Sequence, residues 1–392
     1  MLAGVRVVDL SRVLSGPYCT MILADLGAEV IKVERPPSGD DARAFGPPFV
    51  DGESTYFQSV NRSKASIALD LAQPAGAEVL WRLIDRADVL VENFRPGTME
   101  SLGFGPDVCL ARQPGLVYAR MSGFGQSGPE RTTPGYDVIA QGMSGLMAAS
   151  GEPDGPPTKA AFSVGDIGAG MWTAIGILAA LLERTRSGRG QVVATTLLGG
   201  LVSWQAHISQ AVLSAQVAPN RLGSAHASIV PYQRFMAQDR AFNLAVANDA
   251  QWQRLCAVLG QPQWATDQRF ARNRDRVTNR YLVIEQLEQI FQTNTADYWV
   301  RQCRQAEVPA ADILRAEEVL AHPQLQAMGL IWELAGPHGP WRTVGSPLEM
   351  SRTPPRLGTT PPKLGQDTDQ VLADLGYTDQ EIRRMREDTV VT

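Results

Sequence analysis

The chain has 392 residues, 44% of them hydrophobic and 20% charged, with a formal net charge of -5. Length and composition allow two domains or one large one and exclude a disordered chain; the acidic balance argues against a nucleic-acid partner, which needs a basic surface. Four cysteines (Cys19, Cys109, Cys256, Cys303) stand far apart without CxxC spacing, and four histidines (His207, His226, His322, His338) form no ligand cluster, so neither a metal site nor a disulfide framework is expected, and reduced thiols in a cytoplasmic protein are.

Residues 5–10 (VRVVDL) are a β-branched apolar run and predict a strand; Arg6 and Asp9 inside it are foreign to a secretory signal. Ser15-Gly16-Pro17 starts a helix to about Leu26, with proline in an early position. Residues 28–34 (AEVIKVE) predict the next strand. Strand, helix and strand within about 30 residues make a βαβ unit and hence a parallel sheet. No GxGxxG follows the first strand, so a dinucleotide fingerprint is absent. Ser15 and Gly16 still offer backbone amides at a helix start, suited to a phosphate or carboxylate, or they make a plain turn. Arg35 lies just past the second strand, at the edge where open α/β sheets bind ligands, and reads equally as a phosphate contact or a solvated surface arginine.

A second unit follows: a strand at 65–71, an amphipathic helix at 74–86 and a strand at 87–91 that runs into Glu92-Asn93-Phe94-Arg95-Pro96-Gly97. That polar, aromatic and basic rim suits a small ligand, with plain turn chemistry as the alternative. Residues 116–121 predict a further strand. The stretch 167–182 is uncharged and predicts a helix that starts near Asp166 and is buried on most faces; the apolar run itself is short for a membrane span. Asp166 reads either as an N-cap or as a functional carboxylate whose ionised form the helix N-terminus favours. Residues 191–220 contain no Asp, Glu, Lys or Arg; they predict a strand and then a helix through Val212, buried at a subunit interface. An α-rich, domain-sized stretch comes next, with a strand at 242–246 and helices at 249–259, 280–293 and 296–306, in which Trp252, Phe270, Trp299 and Leu325 read as core. Strands at 331–334, 341–344 and 346–350 and helices at 370–375 and 379–386 close the chain.

Residues 10–17 (LSRVLSGP), 28–36 (AEVIKVERP), 61–70 (NRSKASIALD), 91–97 (VENFRPG), 122–128 (SGFGQSG), 165–181 (GDIGAGMWTAIGILAAL) and 361–365 (PPKLG) together resemble the family III coenzyme A transferases, with which the α-methylacyl-CoA racemases are grouped. Each motif alone is weak; their order and spacing over nearly the whole chain are specific. The resemblance implies an α/β fold with a Rossmann-like large domain, a smaller α+β domain and an interlaced homodimer. It implies a large domain over 1–200, an interface linker over 201–224, a small domain over 225–329 and a return to the large domain over 330–392.

It also implies a CoA thioester and a carboxylic acid as substrates, with no permanently bound cofactor, no metal, and neither a nucleic-acid nor a membrane partner. By position, CoA would meet Val13, Ser15, Arg35, Leu69, Asn93, Phe94, Arg95 and Thr98; Arg95 stands where the formyl-CoA enzyme carries glycine. Asp166 matches the family nucleophile and Asp137 an acidic residue that assists it, its role open between a substrate contact, a neighbour's polariser and a solvated loop carboxylate. Tyr136 and His226 are the candidate substrate contacts. The racemases carry histidine where Tyr136 stands, and a tyrosine, with a reference pKa of about 10, is a poor base at neutral pH. The stretch 223–235 (GSAHASIVPYQRF) lacks the oxalate enzyme's glycine run and looks more like the branch acting on small dicarboxylates such as succinate, malate, mesaconate, itaconate and citramalate, with Arg234 as a candidate partner for the second carboxylate.

Overall fold

The protein is described by a computed structural model over residues 1–336 and 339–392; His338 lies outside the described residues. The chain divides into two compact units. One comprises Met1–Leu146, Lys159–Ala215 and Gln326–Thr392, the other Met147–Thr158 and Gln216–Leu325.

The first unit is built on a six-stranded parallel sheet. Its strands are β1 (Arg6–Asp9), β2 (Glu29–Glu34), β3 (Lys64–Ala68), β4 (Val89–Glu92), β5 (Val117–Ser122) and β6 (Val192–Thr196), in the spatial order β3-β2-β1-β4-β5-β6. The chain runs outward in one direction from β1, then returns to pair β4 on its other side, so the switch in strand order falls between β1 and β4. The helices of this unit include α1 (Ser15–Asp25), α2 (Pro74–Asp85), α3 (Asp137–Met143), α4 (Val164–Ser187), α5 (Leu197–Trp204) and α6 (Ala206–Ala215).

Alternation along the strands assigns the two faces of the sheet. Val7, Val89, Val91, Val117 and Ala119 face α1 and α4, packing against Leu23, Ile177 and Leu181. Val8, Leu90 and Tyr118 face the other way, onto Leu80 and Leu83 of α2 and onto Leu372 and Ile382 of the helices Thr368–Asp374 and Asp379–Glu387. The edge strand β3 is finished by the far end of the chain. Leu69 bridges Val391, the Asp70 N–H donates to the Val390 carbonyl at 2.9 Å, and the Ser66 N–H donates to Asp367 Oδ2 at 2.8 Å.

The second unit has a three-stranded antiparallel sheet in which Ala241–Ala245 lies between Tyr232–Met236 and Ala310–Asp312. Trp252, Phe270, Phe291 and Trp299 are buried in its core, while Leu325 is only half-buried. The strand Tyr232–Met236 alternates too little for its sequence (YQRFM) to announce it, and Ala310–Asp312 is only three residues long.

Several expectations are corrected. Residues 346–350 form no strand. The uncharged segment after β6 is two helices broken at Gln205 rather than one, and α6 has no buried residue in the single chain. α4 is not buried on most faces: Met171, Trp172, Ile175 and Leu182 are exposed. The helix itself is longer than its apolar run. Among the described residues it alone is long and apolar enough to cross a membrane, with half of that stretch buried in the fold.

Candidate active site

The start of α4 is set by a contact from elsewhere in the chain. Ser163 is the N-cap residue, and Asp166 is the third residue of the helix, so the N-cap reading of Asp166 is overturned. The Ser163 side chain makes no capping bond. Instead Asp137, at the first turn of α3, accepts from the Gly165 N–H at 2.7 Å and from the Asp166 N–H at 3.4 Å through Oδ1. Its Oδ2 accepts from Gln141 Nε2 at 2.6 Å, and Gln141 Oε1 accepts from the Ala160 N–H at 2.9 Å. Asp137 is therefore a buried carboxylate that satisfies orphan helix amides, not a solvated loop residue.

This geometry decides the state of Asp166. The sequence suggested that the helix N-terminus would favour its ionised form, but those amides are already occupied by Asp137. Burial first, and the Asp137 charge second, push the Asp166 carboxyl up to about 7. Tyr56, which no sequence motif singles out, shares this neighbourhood: burial and then the Asp166 charge push its phenol up to about 12, so it stays protonated.

Two cavities lie at the carboxyl ends of the strands. The smaller, about 150 Å³, has Asp166 on its wall with Val13, Ser15, Asn93, Arg95 and Tyr136. The larger, about 240 Å³, is lined by Leu10, Val33, Leu71 and Leu102 together with Arg35, Leu69 and Phe94. Seven of the eight residues expected at CoA thus line one cavity or the other. Thr98, half-buried at the start of a four-residue helix, lines neither.

Arg12, passed over at the sequence level, lines both cavities. Its guanidinium sits 5.3 Å from the Phe94 ring centroid and donates to Asp41 Oδ2 at 3.1 Å. Asn93 fixes its backbone, accepting from the Arg12 N–H and donating to the Arg12 carbonyl, both at 2.8 Å. An arginine in a loop gives no signal of this kind until its neighbours are known. His226 belongs to the second unit, where its ring packs near Tyr232 and its Nδ1 accepts from the Ser228 N–H at 3.0 Å.

A sheet in this order, with cavities outside the carboxyl ends of its strands, defines a doubly wound α/β protein of the kind that takes its ligand at that edge. The chain belongs to CoA-transferase family III, whose family model matches residues 2–368. It is 42% identical over 385 residues to a succinate–glutarate CoA-transferase of Agrobacterium fabrum, covering 95% of each chain. It is 39% identical over 349 residues to an acetyl-CoA:oxalate CoA-transferase of Acetobacter aceti, covering 89% of this chain and 88% of that one. Among solved structures it is similar to a CAIB/BAIF family protein from Brucella suis, with a TM-score of 0.85 and 37% identity over 95% of this chain and 99% of that one. The chain is a CoA transferase, and the racemase alternative is not favoured.

Proposed function

We propose that Asp166 is the nucleophile that carries CoA from a donor thioester to an acceptor acid. The Asp166 carboxylate attacks the thioester carbonyl, the CoA thiolate leaves, and a mixed aspartyl anhydride remains. The thiolate then attacks the aspartyl carbon of that anhydride, releasing the donor acid and forming an aspartyl-CoA thioester. The acceptor carboxylate repeats the exchange in reverse order, regenerating free Asp166. Every intermediate is an activated acyl group, so the site must exclude water while leaving the carboxylate reactive. The carrying observation is the Asp166 carboxyl, half-buried on a cavity wall and held near neutrality at about 7. Asp137 is a positioning residue in this scheme, since it touches the start of α4 and does not line the cavity. The apolar larger cavity suits the nucleotide base, with Arg12, Arg35 and Arg95 near the phosphates, and Tyr136, on the cavity wall with Asp166, is reserved for the acyl groups.

For the acceptor we propose a small dicarboxylate such as succinate, mesaconate or citramalate, supported by the likeness to the succinate–glutarate enzyme. Its second carboxylate needs a cation or a hydrogen-bond donor once buried. Oxalate is the second reading, favoured by the 39% identity to the acetyl-CoA:oxalate enzyme. We further propose that the working form is a homodimer in a reducing cytoplasmic compartment; all four cysteines are buried and free. The test is mass spectrometry of protein with succinyl-CoA and a panel of acids that includes oxalate. Hydroxylamine should trap a hydroxamate at Asp166, and dicarboxylates should take up CoA. Uptake by monocarboxylates alone would sink the dicarboxylate reading, and an unmodified Asp166 would sink the nucleophile.

A further inference from the structure

The loop from β1 to α1 contains a residue in a conformation that its side chain disfavours. Val13, β-branched, has φ 67, and such a residue persists there only when its surroundings over-determine it. Those surroundings are a buried charge pair that the transfer chemistry does not use. Asp40 Oδ1 accepts from the Val13 N–H at 2.9 Å. Asp40 Oδ2 pairs with Lys32 Nζ at 2.9 Å, an ionic contact outside directed hydrogen-bond geometry, with both side chains fully buried. Lys32 Nζ in turn donates to the Ser11 carbonyl at 2.8 Å. The pair therefore grips the loop on both sides of Arg12.

The grip is itself anchored. Lys32 and Glu34 stand two residues apart on β2, and Glu34 Oε2 accepts from the Asp40 N–H at 3.0 Å while Arg43 Nε donates to the same oxygen at 2.7 Å. A second buried pair, Lys64–Asp9 at 3.1 Å, backs the same loop: Asp9 Oδ1 accepts from the Ser11 N–H at 3.0 Å. Buried pairs of this kind are weak evidence for stability, because apolar side chains of similar volume usually serve as well. An apolar pair cannot hold an N–H and a carbonyl.

We propose that Lys32 and Asp40 are positioning residues for CoA binding, fixing the 11–13 turn so that Ser11 and Arg12 line the larger cavity while Arg12 and Val13 line the smaller one beside Asp166. This rests on the reading of the cavities as the CoA site. Both residues stand on the wall of the larger cavity with their side chains fully buried, and neither lines the smaller cavity that holds Asp166; the pair acts on ligand affinity through loop shape and makes no contact with the reacting atoms.

The experiment uses the full chain with Lys32→Met and Asp40→Leu combined, which removes both charges together. Calorimetry with CoA, acyl-CoA kinetics and thermal unfolding are read side by side. The expected result is a melting temperature within a few degrees of wild type, a CoA Kd and an acyl-CoA KM each raised tenfold or more, and kcat at saturation within threefold. Adding Val13→Gly to the double variant should recover part of the lost affinity, because glycine adopts the left-handed turn without the grip. A folded double variant with wild-type Kd overturns the proposal, as does a lower melting temperature with Kd unchanged. If the double variant does not fold, Asp40→Ala alone decides: a tenfold weaker Kd supports the proposal and a wild-type Kd overturns it. Wild-type protein that fails to bind CoA would overturn the cavity reading, and the proposal with it.

Discussion

Asp166 carries two opposed requirements. Its folded value of about 7 stands above the ordinary 3.8, so the folded chain binds its proton more tightly than the unfolded chain. Stability is then unaffected by this group below about pH 4 and falls as the pH rises through about 7. Asp166→Asn escapes that loss and should be more stable than wild type at pH 8, by on the order of 2 kcal/mol, with the gap closing by pH 4. Thermal unfolding at the two pH values reads it; a constant gap would contradict the assignment. Activity runs the other way. The carboxylate attacks, so wild-type transfer should rise with pH through about 7, and the asparagine variant should lose about three orders of magnitude or more. Asp137→Asn keeps an oxygen for the Gly165 N–H and removes the neighbouring charge. Its acid limb should move to lower pH, a shift that loss of the cap alone would not produce.

Among the elements, α4 is held against α1 by close contact, and Gly170 permits it. A Cβ there would lie 2.5 Å from the Ser15 carbonyl oxygen, a backbone atom that cannot swing aside. Ser15 also lines the smaller cavity. Gly170→Ala should therefore destabilise the chain by roughly 1–3 kcal/mol and raise the acyl-CoA KM as well. A melting temperature and KM both at wild type would show that the helices part without consequence. The punctuation of these elements was legible. Ser15-Gly16-Pro17 marked the start of α1, and α4 closes at Gly188, at φ 72. The start of α4 was legible to within two residues, but its cap was not, because the cap comes from Asp137, 28 residues before Gly165. Local patterns cannot report an acceptor that arrives through space. The two cavities divided in the same way. Arg35, Asn93 and Phe94 follow strand ends that periodicity could find, whereas Arg12 gains meaning only from its neighbours.

For the whole molecule, the exposed apolar side chains of α4, α5 and α6 stand out. Trp172, Ile175 and Leu182 on α4, Trp204 on α5 and Leu213 on α6 are exposed in a single chain, Leu213 at 80%. Such an expanse is costly to leave in water. A second copy covering it predicts a dimer that survives dilution to nanomolar protein in light scattering, and an active monomer at that concentration would refute it. That the 191–220 run would be apolar was plain from the sequence; which side of the fold it would leave bare was not, because an uncharged stretch looks alike in a core and at an interface.

The closure of β3 by residues 367–391 bears on how the chain is made. A ribosome releases β1 to β6 first, and then the long segment Gln216–Leu325 of the second unit, before it reaches the residues that seal the open edge of the sheet. The inserted unit has its complete core, from Val230 to Ala310, in hand while the first unit still lacks Leu372, Ile382 and Val391. The larger cavity, with Leu69 on its wall, takes its final form only once residues 367–391 have emerged. A half-made chain therefore exposes an unpaired strand edge for the time needed to translate some three hundred residues, and that interval is when the protein is most open to mispairing with its neighbours.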